Sequence, residues 1–332
     1  MPPRTVVPPP AALDRNIALE VVRVTEAAAL AASRWIGRGE EKAADEAAAD
    51  AMRRALDALL MDGMIVNGDT YGPGRPLHTG ETVGSGAGPR VEIVLTALEG
   101  RTICAKGGPN ALSVVALCEA GGFLRVPDQV YMEKVAVGPG LPPGIIDLDM
   151  PAEDMLRRTA GARAVSVADL TVCVLDRPRH GGLIGRLYEA GARVRLIEDG
   201  DVSGALATGL PDSGIDLYMG VGGAAQGVLA AAGLKCLGGR MQCRLAPRGD
   251  EQFARCRAAG IEDLGRKYDI DDMVRGEVMF AATGITDGPV LKGVRLGPGR
   301  AVSHSLVMRS ATGTVRSMTA AHDFVKSAAH GR

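Results

Sequence analysis

The 332 residues carry 38 Lys and Arg against 39 Asp and Glu, so no charge excess draws the chain to nucleic acid or to an anionic membrane. Apolar residues at 46% and charged residues at 23% fit a soluble globular chain with an ample core, in one large domain or two of ordinary size. Aromatic residues at 3% argue against stacking platforms for bases, and no apolar run reaches the roughly 18 residues needed to span a bilayer.

Residues 1–13 contain five prolines before Ala11 and no hydrophobic signal core, which reads as a disordered leader. Helical periodicity follows over 14–36, with Ile17, Val21, Val24, Ala28 and Leu30 favouring one side. A polar turn from Gly37 delivers Asp45 to a second helix, about Ala43 to Met61, whose apolar face carries Met52, Leu56, Leu59 and Leu60. Strand signals at Met64–Val66 and Val91–Leu95 flank a glycine-rich excursion. A helix then fits Asn110–Glu119, and a hairpin fits Gly122–Val126 with Tyr131–Val137.

An internal boundary is expected near 150–168, dividing an α+β half (14–155) from an α/β half (156–332). Beyond it come strand Leu170–Leu175, helix Gly182–Ala190, strand Arg193–Ile197, a short helix after Asp201, strand Ile215–Met219 and helix Ala224–Ala232. That alternation argues for a largely parallel sheet. Strands return at Glu277–Ala282, Val290–Val294, Ser303–Met308 and Val315–Met318. The six cysteines form no CxxC pair and sit among apolar neighbours, as buried free thiols in a reducing compartment do, so cytoplasm is the default.

Several strand-end turns could carry chemistry. The glycine-rich turn Gly220 to Gly227 opens a helix whose first amides could cradle a phosphate, or it is simply a tight strand-to-helix connection. Asp199-Gly200-Asp201 could receive sugar hydroxyls or a metal, and Asp201 could equally cap its helix. Arg177 and Arg179 offer two guanidinium groups suited to a phosphate, or a solvated basic turn. Asp45, Asp69 and Glu99 are acidic residues beside element ends, of the type that hard cations such as Mg²⁺ require, although spacing alone does not bring them together. A lone His180 or His304 is more often structural, and no serine-centred nucleophile elbow is present.

The chain also carries, in order, Arg23-Val-Thr-Glu-Ala-Ala-Ala, Trp35-Ile-Gly-Arg-Gly, Tyr131-Met-Glu-Lys, Val137-Gly-Pro-Gly, Pro178-Arg-His, Asp199-Gly-Asp, Gly222-Gly and Ala281-Ala-Thr-Gly-Ile-Thr-Asp-Gly. In these motifs it resembles the class II fructose-1,6-bisphosphatases of the lithium-sensitive phosphatase superfamily. The resemblance implies a layered α/β/α/β/α sandwich, Mg²⁺- or Mn²⁺-assisted hydrolysis of a sugar 1-phosphate, and a homodimer or homotetramer. Substrate contacts carry over to Gly100, Tyr131, Arg177, Arg179, Asp199, Asp201 and Gly223. The metal positions are Asp45, Asp69 (where the family has Glu) and Glu99, with Glu99, Asp69 and Arg101 expected at the reaction centre.

Besides Asp69, Ala97 stands where the family has Pro and Glu41 where a Lys is common, and three further departures fall at the expected reaction centre. Thr96 stands where the family has an Asp ligand, Gln226 where it has a Glu ligand, and Arg101 where its turn has Thr. The pocket is thereby about three charge units more positive, which at about 4 Å and an effective dielectric near 20 is worth several kcal/mol against divalent ions. The expected site is therefore a sugar-phosphate pocket with fewer ions than the family uses, or none, in which Arg101 supplies part of the missing positive charge to the phosphate. Beside a phosphatase with a reduced metal set, the residues allow an enzyme repurposed for another sugar phosphate in specialised metabolism, hydrolytic or not, and a non-catalytic sugar-phosphate-binding or regulatory protein.

Overall fold

The computed structural model describes residues 15–69 and 74–325; the leader expected at 1–13 lies outside them. In chain order, α1 (Arg15–Ser33) and α2 (Glu41–Asp57) precede β1 (Asp62–Asn67), β2 (Thr82–Val83), β3 (Arg90–Glu99), the short α3 (Arg101–Lys106), β4 (Leu112–Glu119) and β5 (Tyr131–Val137). The middle holds α4 (Ala152–Arg163), β6 (Thr171–Leu175), α5 (Gly181–Glu189), β7 (Arg193–Ile197), α6 (Asp201–Ala207), β8 (Leu217–Gly223), α7 (Ala224–Leu237) and β9 (Arg240–Leu245). After α8 (Gly249–Ala258), β10 (Lys267–Asp269) and α9 (Ile270–Met273) come β11 (Val278–Gly284), β12 (Arg295–Gly297), β13 (Arg300–Arg309) and β14 (Thr314–Asp323).

Two sheets result. The larger runs β12-β13-β11-β4-β3-β1-β2, with β14 also paired to β13; the smaller runs β10-β9-β5-β8-β6-β7. In α1, Val21, Val24, Ala28 and Ala32 are buried on one stripe, and in α2 the four-residue spacing of Ala44, Ala48, Met52 and Leu56 does the same. These two helices cover one face of the larger sheet. Helices α6 and α7 lie between the sheets, and α4 and α5 cover the outer face of the smaller one. The layering is the expected α/β/α/β/α sandwich.

Strand β3 shows why a central strand reads as continuous apolar sequence. Ile93, Leu95 and Ala97 join the core under α1 and α2, while Val94 faces the core between the sheets, so both faces are buried. The same property corrects one expectation: Asn110–Glu119 is not a helix, since β4 occupies Leu112–Glu119, paired with β3 on one side and β11 on the other. A short apolar run buried on both sides carries no periodicity that separates strand from helix.

Other differences are topological. The sheet expected to be largely parallel is mixed: β6 is parallel to β7 and β8, whereas the β8–β5, β5–β9 and β9–β10 pairs are antiparallel, and in the larger sheet only β1 and β3 are parallel among the described residues. Gly122–Val126 forms no strand beyond the single Phe123–Val274 bridge, and the strand expected at Val290–Val294 lies at Arg295–Gly297. The sheets do not follow the division at residues 155 and 156, since β5 belongs to the smaller sheet and β11–β14 return to the larger. All six cysteines are free and buried. No helix among the described residues is long and apolar enough to cross a membrane.

Candidate active site

Parallel pairing decides where the strand-end turns go. Because β6, β7 and β8 run the same way, the turns bearing Arg177 and Arg179, Asp199 and Asp201, and Gly223 and Gln226 emerge at one edge of the smaller sheet. Strand β5 is antiparallel to β8 with Tyr131 opposite Gly223, which brings Tyr131 to that edge too. In the larger sheet β1 and β3 are parallel, so Asp69 just beyond β1 and Glu99 at the end of β3 share an edge. The edges meet where the Val202 amide donates to Glu99 Oε1 at 2.6 Å and Asn110 Nδ2 donates to the Asp199 carbonyl at 3.2 Å.

The result is a pocket of about 330 Å³ lined by Asp69, Thr96, Glu99, Gly100, Arg101, Tyr131, Arg177, Arg179, Asp199, Asp201, Gly223 and Gln226. All substrate positions expected from the sequence are therefore neighbours. Asp45 reaches the group through Arg101, whose Nε lies 2.7 Å from Asp45 Oδ1. That oxygen receives no directed hydrogen bond, so the contact is ionic rather than a well-aligned N–H···O pair.

Arg101 occupies the space between the carboxylates expected to hold metal. Its Nη2 donates to Asp69 Oδ1 and to the Asp69 carbonyl, each at 3.2 Å. Thr96 Oγ1 donates to Asp69 Oδ1 at 2.8 Å and the Ala97 amide to Oδ2 at 2.9 Å, so both carboxylate oxygens are engaged by the protein itself. Burial, and then the neighbouring Asp69 charge, push the Asp45 carboxyl up to about 6 against the pull of Arg101. Among the described residues no cluster of three or more His, Cys, Asp or Glu side chains is arranged to hold a metal ion. The acidic residues present do not fit a divalent cation at Asp45 and Asp69 while the guanidinium lies between them.

Glu99 is 5% exposed; its Oε2 has no hydrogen-bond partner, and burial drives its carboxyl up to about 8 against the Val202 amide, with Asp199 and Asp201 adding to the rise. At neutral pH it mostly keeps its proton. Asp199 is also raised, chiefly by burial. Its turn has little freedom: Gly200 adopts φ +97°, and a Cβ there would fall 2.2 Å from Asn110 Nδ2. Asn110 itself holds φ +90°.

Asp201 differs from expectation. Lys134 Nζ pairs with its Oδ2 and the Tyr218 hydroxyl donates to its Oδ1, so its carboxylate is turned into a buried lock rather than offered to a sugar. Lys134 also donates to the Gly223 carbonyl at 2.7 Å, joining the Asp201 and Gly223 turns. His180 is structural: its Nδ1–H donates to the Leu175 carbonyl at 2.7 Å while Nε2 accepts from the Val221 amide at 2.8 Å.

A match to the family described as bacterial fructose-1,6-bisphosphatase, glpX-encoded, runs over residues 15–322. The chain belongs to that family. It is 42% identical over 325 residues to the class 2 fructose-1,6-bisphosphatase of Haemophilus influenzae, covering 93% of this chain and 97% of that protein. It is 41% identical over 325 residues to fructose-1,6-bisphosphatase 1 class 2 of Escherichia coli K12, covering 93% of this chain and 96% of that one. A class 2 bisphosphatase scaffold thus carries Arg101 wedged between two acidic side chains.

Sequence reading missed Lys134, Tyr218, Asn110 and Arg248. Lys134 stood inside a quoted motif without a role; the others gave no signal. Arg248, between β9 and α8, lies 5.3 Å from the centroid of the Tyr131 ring, as does Arg179. Desolvation, then the nearby Arg248 and Arg177 charges acting against Tyr131, lowers the affinity of Arg179 for its proton. A cation cluster of this kind suits a second phosphate. Arg248→Ala is expected to weaken binding of a sugar bisphosphate by about 3–10-fold and of the monophosphate by less than about twofold, measured by calorimetry. Equal losses on both ligands would exclude that role.

Proposed function

We propose that this pocket binds a fructose-bisphosphate-class sugar phosphate and that the chain hydrolyses one of its phosphate monoesters. The observation that supports this most directly is the convergence of Arg101, Arg177 and Arg179 with the Asp199–Asp201 turn and Tyr131 in one pocket. Guanidinium groups neutralise phosphate and grip it bidentately. Gly223 and its turn approach the ligand through backbone, Tyr131 and Asp199 orient the sugar, and Asp201 holds the turn in place. Glu99, largely protonated near pH 7, is the group able to deliver a proton to the departing sugar oxygen.

The resemblance brings with it divalent-metal chemistry, which in such hydrolyses neutralises the phosphoryl group and lowers the pKa of a bound water. The Asp45, Asp69 and Arg101 arrangement does not fit Mg²⁺ or Mn²⁺ there, so the roles above are those of the chain's own residues. That misfit favours a second reading, a sugar-phosphate-binding protein with altered or no turnover, because a guanidinium does not generate hydroxide. We also propose a cytoplasmic homodimer or homotetramer, as the resemblance implies; light scattering of the purified chain would check the assembly.

The deciding measurement is phosphate release from fructose 1,6-bisphosphate and a panel of sugar phosphate esters, with Mg²⁺, with Mn²⁺ and with chelator. Release supports the phosphatase. Thermal stabilisation by a sugar phosphate with no release from any ester supports the second reading.

A further inference from the structure

The arrangement of Asp45, Arg101 and Asp69 has the form of an ion site whose ion is part of the chain. Arg101 reaches Asp45 at 2.7 Å and Asp69 at 3.2 Å. Asp45 and Asp69 are 5% exposed each, so this is a partly desolvated cluster rather than a surface pair. Arg101 keeps a third of its side chain accessible, on the pocket side, beside Arg177 and Arg179. The remaining Asp69 contacts, from Thr96 Oγ1 and the Ala97 amide, are those of a carboxylate organised around protein donors. A divalent ion entering here would have to displace the guanidinium from both acids, and neutral Thr96 and Gln226 would give it no further charge.

We infer that Arg101, clamped by Asp45 and Asp69, is a tethered replacement for a divalent cation, so that the pocket binds its sugar phosphate without added metal. The inference rests on the reading of this pocket as the sugar-phosphate site. Its physical content is an exchange. A guanidinium supplies permanent positive charge and a planar set of donors matched to phosphate oxygens, at all metal concentrations. It carries one charge rather than two and does not itself acidify water, so what it replaces is the metal's hold on the phosphate and not the metal's activation of water.

The test uses the full chain and fructose 1,6-bisphosphate as probe, titrated calorimetrically in chelator and again in excess Mg²⁺ or Mn²⁺, with Mn²⁺ binding followed separately by electron paramagnetic resonance. The expected result is a dissociation constant equal in the two conditions within about threefold, and no tight Mn²⁺ site. Arg101→Thr is expected to lose at least about tenfold in affinity in chelator and to recover part of it when Mg²⁺ is added. Arg101→Lys, which keeps the charge between the two acids, controls for folding.

Binding by the unaltered chain only when a divalent ion is present, or a tight Mn²⁺ site in it, would overturn the inference while leaving the sugar-phosphate reading intact. Arg101→Thr binding as tightly as the parent in chelator would overturn it as well. Binding of no sugar phosphate in either condition would instead remove the reading of the pocket on which the inference stands.

Discussion

Lys134→Met is expected to lower the melting temperature by roughly 4–7 °C and to weaken sugar-phosphate binding at least about tenfold. Lys134 is 2% exposed, its ammonium paired with Asp201 and bonded to the Gly223 carbonyl. Its stem is tightly held, since a Cβ at Gly227 would lie only 3.1 Å from Lys134 Cε. Methionine fills similar volume, so the change tests charge rather than packing. It leaves the buried Asp201 carboxylate with the neutral Tyr218 hydroxyl as its remaining side-chain donor.

Breaking a buried pair from one side costs about 3–5 kcal/mol, because the surviving charge stays desolvated and uncompensated. Adding Asp201→Asn should therefore recover at least about half of the lost melting temperature, since it removes that charge. It should not recover affinity, because the Gly223 carbonyl remains untethered. Differential scanning fluorimetry of the single and double variants, beside calorimetry, reads both effects. A Lys134→Met protein melting within about 1 °C of the parent would show that the pair contributes no net stability.

Thr96→Asp, Arg101→Thr and Gln226→Glu, combined, are expected to raise Mg²⁺-dependent phosphate release from fructose 1,6-bisphosphate by about 10²-fold or more. Two carboxylates are added and one cation removed beside Asp69 and Glu99. At about 4 Å and an effective dielectric near 20, one unit-charge pair is worth about 4 kcal/mol. Desolvation offsets much of that sum, and a surplus of about 3 kcal/mol already corresponds to about 10²-fold. Arg101→Thr alone should gain far less, since Thr96 and Gln226 supply no charge. If the triple variant is folded and holds Mg²⁺ yet releases no more phosphate than the parent, the substrate pocket has diverged along with the metal positions.

Much of the scaffold was legible because it rests on local patterns. The stripe Val21, Val24 and Ala28 announced α1, and the alternation from residue 170 to 232 announced the β6–α7 units. The strand ends that carry Arg177, Arg179, Asp199 and Gly223 followed from the same alternation, because parallel strands deliver their carboxyl ends to one edge. Antiparallel partners were less visible. Strand β4 resembled a helix because an apolar run buried on both faces has no polar rhythm, and β9 passed unnoticed between two helices.

The roles of Lys134 and Asp201 were hidden for a different reason. Their pairing spans 67 residues, and the Lys134 bond to Gly223 spans 89. Asp199-Gly200-Asp201 reads as two equivalent acids, but Asp199 borders the pocket with its carboxylate accepting the Gly200 amide, whereas Asp201 turns inward to Lys134 and Tyr218.

By itself the sequence determined the family, the layered fold and the identity of the charges at the reaction centre: Thr96 and Gln226 neutral, Arg101 positive, Asp45, Asp69 and Glu99 acidic. Those are properties of single residues in recognisable surroundings. Only the tertiary structure decided which charges pair, because pair energies depend on separation and on the dielectric around the pair, and both are set by how the two sheet edges meet. That meeting puts the Arg101 guanidinium against Asp45 and Asp69, leaves Glu99 buried with an unpartnered oxygen, and seals Asp201 beneath Lys134.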